Sequence, residues 1–265
     1  MQISSRSKLY YIFLFAGLFV TSIIAWLIIE NGLLVRNGAA LTLLSAQSDK
    51  LYISGIVAAG VSCFIGLFLS FYFVLRLRKT TSCELFFFSA AAFTMIFESA
   101  RLLSLLLYFS RNYIFFIDSL TRVVISARFL GILCLLMGSL YPCGLNQSNL
   151  LQYFFGLVLL AIFFAVLQPV NSGTMDSSFL SAIGNSKAYY AATIFMSLAT
   201  IVNYFIAGRG ESVFIKAGLL TAGFMISRQV LQFAAGMIQV MLAGVACIVF
   251  SMLYIKTLFI RYMWD

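Results

Sequence analysis

Histidine is missing from all 265 residues, proline and tryptophan occur twice each, and Asp and Glu together eight times. The absence of histidine removes the commonest general base and zinc ligand. Two prolines are too few for a loop-rich fold, and Pro142 and Pro169 both stand just past the end of an apolar run, where they stop a helix without kinking it. The sparse aspartates, Asp49, Asp118, Asp176 and Asp265, form no acidic dyad within an apolar run. G-x-S-x-G, a Gly-rich phosphate loop and H-E-x-x-H are all absent. The five cysteines lack metal-ligand spacing. Cys63, Cys134 and Cys247 lie inside apolar runs and Cys83 and Cys143 at their ends, so reduced thiols are expected. These absences predict a chain that is not an enzyme and carries no cofactor or metal.

What is present is apolar. The chain is 63% hydrophobic and 9% charged, with a mean hydropathy of +1.04, and a soluble domain could not cover itself with so few polar groups. The fold class expected is all-α, a polytopic transmembrane helical bundle of about eight spans, at 9–29, 51–75, 85–108, 119–141, 149–167, 188–208, 212–231 and 235–259. The turn at Ala235 and Gly236 is so short that span seven could also be read as non-spanning. Arg6 and Lys8 precede the first run, Leu9 to Ile29, which is too long for a signal-peptide core and is read as an uncleaved helix. With few internal Gly or Pro interruptions, the helices read as unbroken.

The net charge of +9 has no arginine-rich run with interleaved polar residues behind it, which excludes nucleic acid as a partner. The basic residues instead flank the spans. Arg6, Lys8, Arg76, Arg78, Lys79, Arg209, Lys256 and Arg261 gather on one side, and Arg36, Lys50, Arg111 and Lys187 on the other. The positive-inside tendency therefore predicts both termini in the cytosol, in a bacterial inner membrane. Lys216 sits about one turn into span seven and is expected to snorkel to the interface. Tyr10, Tyr11, Trp26, Tyr52, Tyr254 and Trp264 read as interfacial belt residues. The stretch 168–187, with SGTMDSS at 172–178, reads as a polar external loop.

Two stretches resemble each other. Glu84 to Arg101 (ELFFFSAAAFTMIFESAR) and Glu211 to Arg228 (ESVFIKAGLLTAGFMISR) agree at Glu84/Glu211, Phe87/Phe214, Ala90/Ala217, Thr94/Thr221, Phe97/Phe224 and Arg101/Arg228. The matches recur at steps of 3, 3, 4, 3 and 4 residues, the spacing of one helix face. They predict a packing face, small residues allowing close approach, with an arginine about 25 Å from the leading acid. They also predict a duplication with half-repeats 1–145 and 146–265, the two four-span halves lying parallel about an axis along the membrane normal.

Charges inside spans are costly and mark candidate sites. Arg101, Arg122, Arg128 and Arg228 fall at similar depth, with Glu98 and Asp118 the acids at that level. Glu98 is expected to pair with Arg101, and Asp118 with Arg122, one turn on. Arg128 and Arg228 have no acid at helical spacing, and beside Arg228 the place of Glu98 is taken by Met225. The site expected is Arg228, Arg128, Arg101, Arg122 and Glu98, an outward-facing basic cavity for an anionic small molecule or amphipathic lipid, used for transport. An alternative reading is a membrane subunit or sensor whose arginines pair with acids on a partner protein, and another is an intramembrane lipid-modifying enzyme.

Overall fold

The computed structural model describes residues 3–36, 49–76, 82–110, 114–146, 149–176, 178–233 and 236–264. Arg78, Lys79, Arg111, Ala235 and most of the stretch between the first two spans lie outside the described residues, as do the side chains of Arg6, Arg36, Lys50, Tyr52 and Trp264. The helices are α1 (Ile3–Arg36), α2 (Asp49–Arg76), α3 (Cys83–Phe93), α4 (Ala100–Ser110), α5 (Ile114–Leu140), α6 (Leu150–Leu167), α7 (Ser186–Ala207), α8 (Ser212–Gln232) and α9 (Met237–Trp264). α3 and α4 are joined by a 3₁₀ segment, Thr94–Ser99, and together make one span. Among the described residues, eight helical stretches are long and apolar enough to cross a membrane, Ser212–Gln232 included, as befits an integral membrane helical bundle.

Burial sorts the spans. In α3–α4, 78% of the most apolar window is buried, against 17% in each of α1, α6 and α7. The broken span is therefore the axis of the bundle, with α2, α5, α8 and α9 around it and α1, α6 and α7 on the rim. Ser82 starts this axis: its hydroxyl accepts from Leu85 N at 3.2 Å and donates to Glu84 Oε2 at 2.8 Å. The second helix of each expected half packs on the fourth of the other, α2 on α9 and α7 on α5. α1, by contrast, lies along α2 and α4, whereas its counterpart α6 lies along α5.

Aromatic rings fill the end of the bundle that holds both termini. Phe88 stacks on Tyr254 at 4.4 Å between centroids and meets Phe224 at 4.9 Å, while Tyr10 stacks on Phe73 at 5.9 Å. Tyr10 and Tyr254 are thus core residues, not belt residues, because each ring finds aromatic partners. The Tyr204 and Tyr254 hydroxyls are 2.6 Å apart, which gives each a polar partner where water is excluded. Trp26 remains on the outer face at 63% exposure, and Lys216 is exposed as expected.

The stretch after α6 is not a plain loop. Val170–Met175 (β1) and Ser181–Ile183 (β2) form an antiparallel hairpin, with Val170 opposite Ile183, Asn171 opposite Ala182 and an irregularity before Met175 opposite Ser181. Its tip turns inward: Ser178, Phe179, Leu180 and Ser181 are buried. Phe179 takes φ 60°, a conformation uncommon away from glycine. Its ring occupies the space left free by Gly55 of α2, where a Cβ would collide with it. Ser181 N donates to Thr121 Oγ1 at 3.0 Å and Ser181 Oγ to Asp118 Oδ1 at 2.7 Å, which ties the tip to α5. Ser181 therefore anchors the hairpin to α5 through both its side chain and its backbone.

Candidate functional site

Span three breaks where the site begins. Thr94–Ser99 is 3₁₀ without any glycine or proline, contrary to the expectation of unbroken helices. Hydroxyls supply a physical reason. Ser89 Oγ donates to Phe86 O at 2.7 Å, Thr94 Oγ1 to Ala91 O at 2.7 Å and Ser99 Oγ to Ile96 O at 2.6 Å, each reaching back three residues. Such back-bonding competes with the i→i−4 ladder and favours the tighter turn. Gly66 of α2 admits the segment closely, since a Cβ there would lie 2.8 Å from Ile96 Cγ1 and 3.0 Å from its backbone N. Six 3₁₀ residues at 120° each, instead of 100°, turn everything beyond them by about 120° relative to a continuous helix.

That turn separates two arginines which the sequence places on matching faces. Arg101, beyond the break, donates from Nε to Ser178 O of the hairpin at 2.7 Å and from Nη1 to Glu98 Oε2 at 3.3 Å. Its guanidinium lies 5.9 Å from the centre of the Phe179 ring. Arg228, on the unbroken α8, stays in line with the stripe and reaches Thr94, donating from Nη2 to Oγ1 at 3.0 Å. Phe87, Ala90 and Thr94 are buried, as are Phe214, Ala217, Thr221 and Phe224, in keeping with a packing face.

Glu98 is the hub. Beside Arg101 it accepts a two-pronged contact from Arg128 of α5, Nε to Oε1 and Nη2 to Oε2, both at 2.8 Å. Arg128, which has no acid at helical spacing, thus finds one on another helix, in the geometry that makes Arg–carboxylate pairs strong. Its outer side lies 5.9 Å from the Phe233 ring centre. Tyr189 of α7 is also buried nearby, close enough for its polar group to interact with both Arg128 and Arg228.

Arg228 is the exception. It is 3% exposed and interacts with the Glu98 charge without hydrogen bonding to it. Its Nε and Nη1 have no hydrogen-bond partner among the described residues. The guanidinium lies over Gly131 of α5, where a Cβ would stand 2.7 Å from Nη2 and 2.5 Å from Thr94 Oγ1. Three buried guanidiniums therefore face a single buried carboxylate.

Two expectations need correction. Arg122 does not turn to Asp118 but donates from Nη1 to Val166 O at 2.9 Å, at the C-terminal end of α6, where a cation meets the free carbonyls and the negative end of the helix dipole. It lies outside the Glu98 group. The basic site is also closed toward the hairpin side rather than outward-facing, because Arg101, 1% exposed, is covered by the hairpin tip.

Two apolar grooves flank α8 on its outer face. The α7/α8 groove, about 590 Å³, runs from Tyr190 and Phe233 down to Ile201 and Ala222. The α8/α9 groove, about 760 Å³, runs from Phe233 and Gln239 to Ala246 and Phe250. Ile226, Gln229, Val230 and Phe233 border both. Phe233 stands between these grooves and Arg128, and it also meets Tyr190 edge-on at 5.7 Å.

Thr94, Gly131, Ser178, Tyr189 and Phe233 belong to this site and are not singled out as site residues by the sequence. Thr94 alone carried a signal, its place on the repeated stripe. No protein-family model, curated protein or solved structure matches the chain.

Proposed function

We propose that this integral membrane protein is non-enzymatic and binds an anionic, amphipathic ligand at the buried group of Arg101, Arg128 and Arg228. The observation that carries the reading is Arg228, whose Nε and Nη1 are unpartnered in a site with three buried cations and one buried acid, the exposed Asp176 standing near Arg101 alone. A buried guanidinium left short of acceptors is costly, and a phosphate or carboxylate oxygen would supply both the acceptors and the missing charge.

Transport is the use assigned to the site, on the expectation that both termini face the cytosol of a bacterial cell. The 3₁₀ segment that carries Glu98 is an interruption of the kind that marks a hinge. The four-plus-four duplication belongs to the same reading, supported by the paired contacts of α2 with α9 and α7 with α5.

The test is calorimetric titration of the purified chain with dihexanoyl phosphatidate, a short-chain anionic probe. Wild type binds it, and Arg228→Gln weakens binding about tenfold or more, the loss of one charge-assisted bond to an anion. Equal binding by both proteins, or by neither, sinks the reading. Co-purification of a membrane protein whose carboxylate answers Arg228 would favour the subunit reading in its place.

A further inference from the structure

We infer that the ligand is a two-chain anionic lipid, drawn from the leaflet on the hairpin side, with one chain in each groove beside α8. This rests on the arginine site proposed above and names what occupies it. Three observations converge.

The first is length. From Tyr190 to Ile201 on α7, and equally from Ala222 to Phe233 on α8, the groove extends about 16 Å, close to half of a hydrocarbon core of about 30 Å. A chain that starts at the hairpin end would therefore finish near the bilayer midplane.

The second is number. Two grooves share one ridge, Ile226 and Val230, and converge on Gln229 and Phe233. A glycerolipid has the same form: two chains diverging from one polar head.

The third is charge. The point of convergence abuts the site through Phe233, which packs on the Arg128 guanidinium. Behind it stands the surplus positive charge of Arg128 and Arg228 over Glu98, with the unpartnered Nε and Nη1 of Arg228. A zwitterionic head would bring its own cation against that surplus, whereas an anionic head would not. Phe233 is the wall between groove and arginines, so its side chain must swing aside before a phosphate can touch Arg228.

The experiment uses the full chain in detergent and native mass spectrometry, with four probes: dioleoyl phosphatidate, monooleoyl lysophosphatidate, dihexanoyl phosphatidate and dioleoyl phosphatidylcholine. Dioleoyl phosphatidate is expected to be retained about tenfold better than each of the other three. Ala222→Trp and Ala246→Trp each fill one groove without touching an arginine. Both should lower retention of dioleoyl phosphatidate and leave dihexanoyl phosphatidate unchanged. Equal retention of the one-chain and two-chain lipids, or of phosphatidylcholine and phosphatidate, overturns the assignment in wild type alone, independently of how the tryptophan variants fold. Retention of the short probe without any preference for chains leaves the arginine site standing and removes the lipid. Indifference of both phosphatidates to Arg228→Gln removes the site itself.

Discussion

At the residue scale the four charges of the site are not equivalent. Glu98 accepts hydrogen bonds from two arginines on two helices, so its loss leaves three guanidiniums in the bundle with no acid hydrogen-bonded to them. Arg228 makes one hydrogen bond, to Thr94, and leaves two donor nitrogens, Nε and Nη1, without an acceptor. Removing one partner of a buried hydrogen-bonded pair costs about 3–5 kcal/mol, whereas an apolar side chain in place of Arg228 removes a buried charge whose Nε and Nη1 have no acceptor. Glu98→Gln should therefore lower the thermal unfolding midpoint in detergent sharply. Arg228→Met should leave it unchanged or raise it while abolishing anion binding. An Arg228→Met protein as unstable as Glu98→Gln would mean that Arg228 is a structural ion and not a ligand site.

At the element scale, two features escaped the hydropathy pattern for different reasons. The 3₁₀ segment consists of residues that suit a helix of either kind, and the tighter turn shows only in its packing against Gly66 together with the hydroxyls of Thr94 and Ser99 bonded three residues back. The hairpin is short and polar, as a loop would be. Its inward tip depends on Gly55, half the chain away, making room for Phe179. Gly55→Val should therefore displace the tip, at a cost of about 1–3 kcal/mol for overpacking. Limited proteolysis should then cut within 176–180 faster than in wild type. An unchanged cleavage rate would show that the hairpin is held by its links to Arg101 and α5 without help from Gly55.

At the scale of the whole molecule, the succession of eight spans places the hairpin at the end of the bundle opposite the two termini. Cys143 lies at the terminal end and is exposed, while Asp176 is exposed on the hairpin. The excess of basic residues at the terminal end predicts that this end faces the cytosol. In intact cells, a protein carrying Asp176→Cys as its only cysteine should react with a membrane-impermeant maleimide. A protein retaining only Cys143 should react after permeabilisation alone. The reverse pattern would invert the orientation and with it the leaflet that supplies the lipid.

Composition and the long unbroken apolar runs determine that this chain is a bundle of apolar helices, because the backbone must be satisfied within the membrane and a barrel would show short alternating strands instead. The spacing of Phe87, Ala90 and Thr94, and of their counterparts in α8, is enough to show a buried face. The presence of four arginines and Glu98 at similar depth is likewise legible in the sequence. Which arginine is left unsatisfied is a tertiary matter. A partner such as Glu98 for Arg128 is 30 residues away and on another helix, and a 3₁₀ turn of about 120° sends Arg101 to the hairpin while Arg228 remains on its original face. Helical spacing describes neighbours along one helix. The pairing of charges across helices depends on how their axes pack and rotate, and that is decided only when the bundle closes.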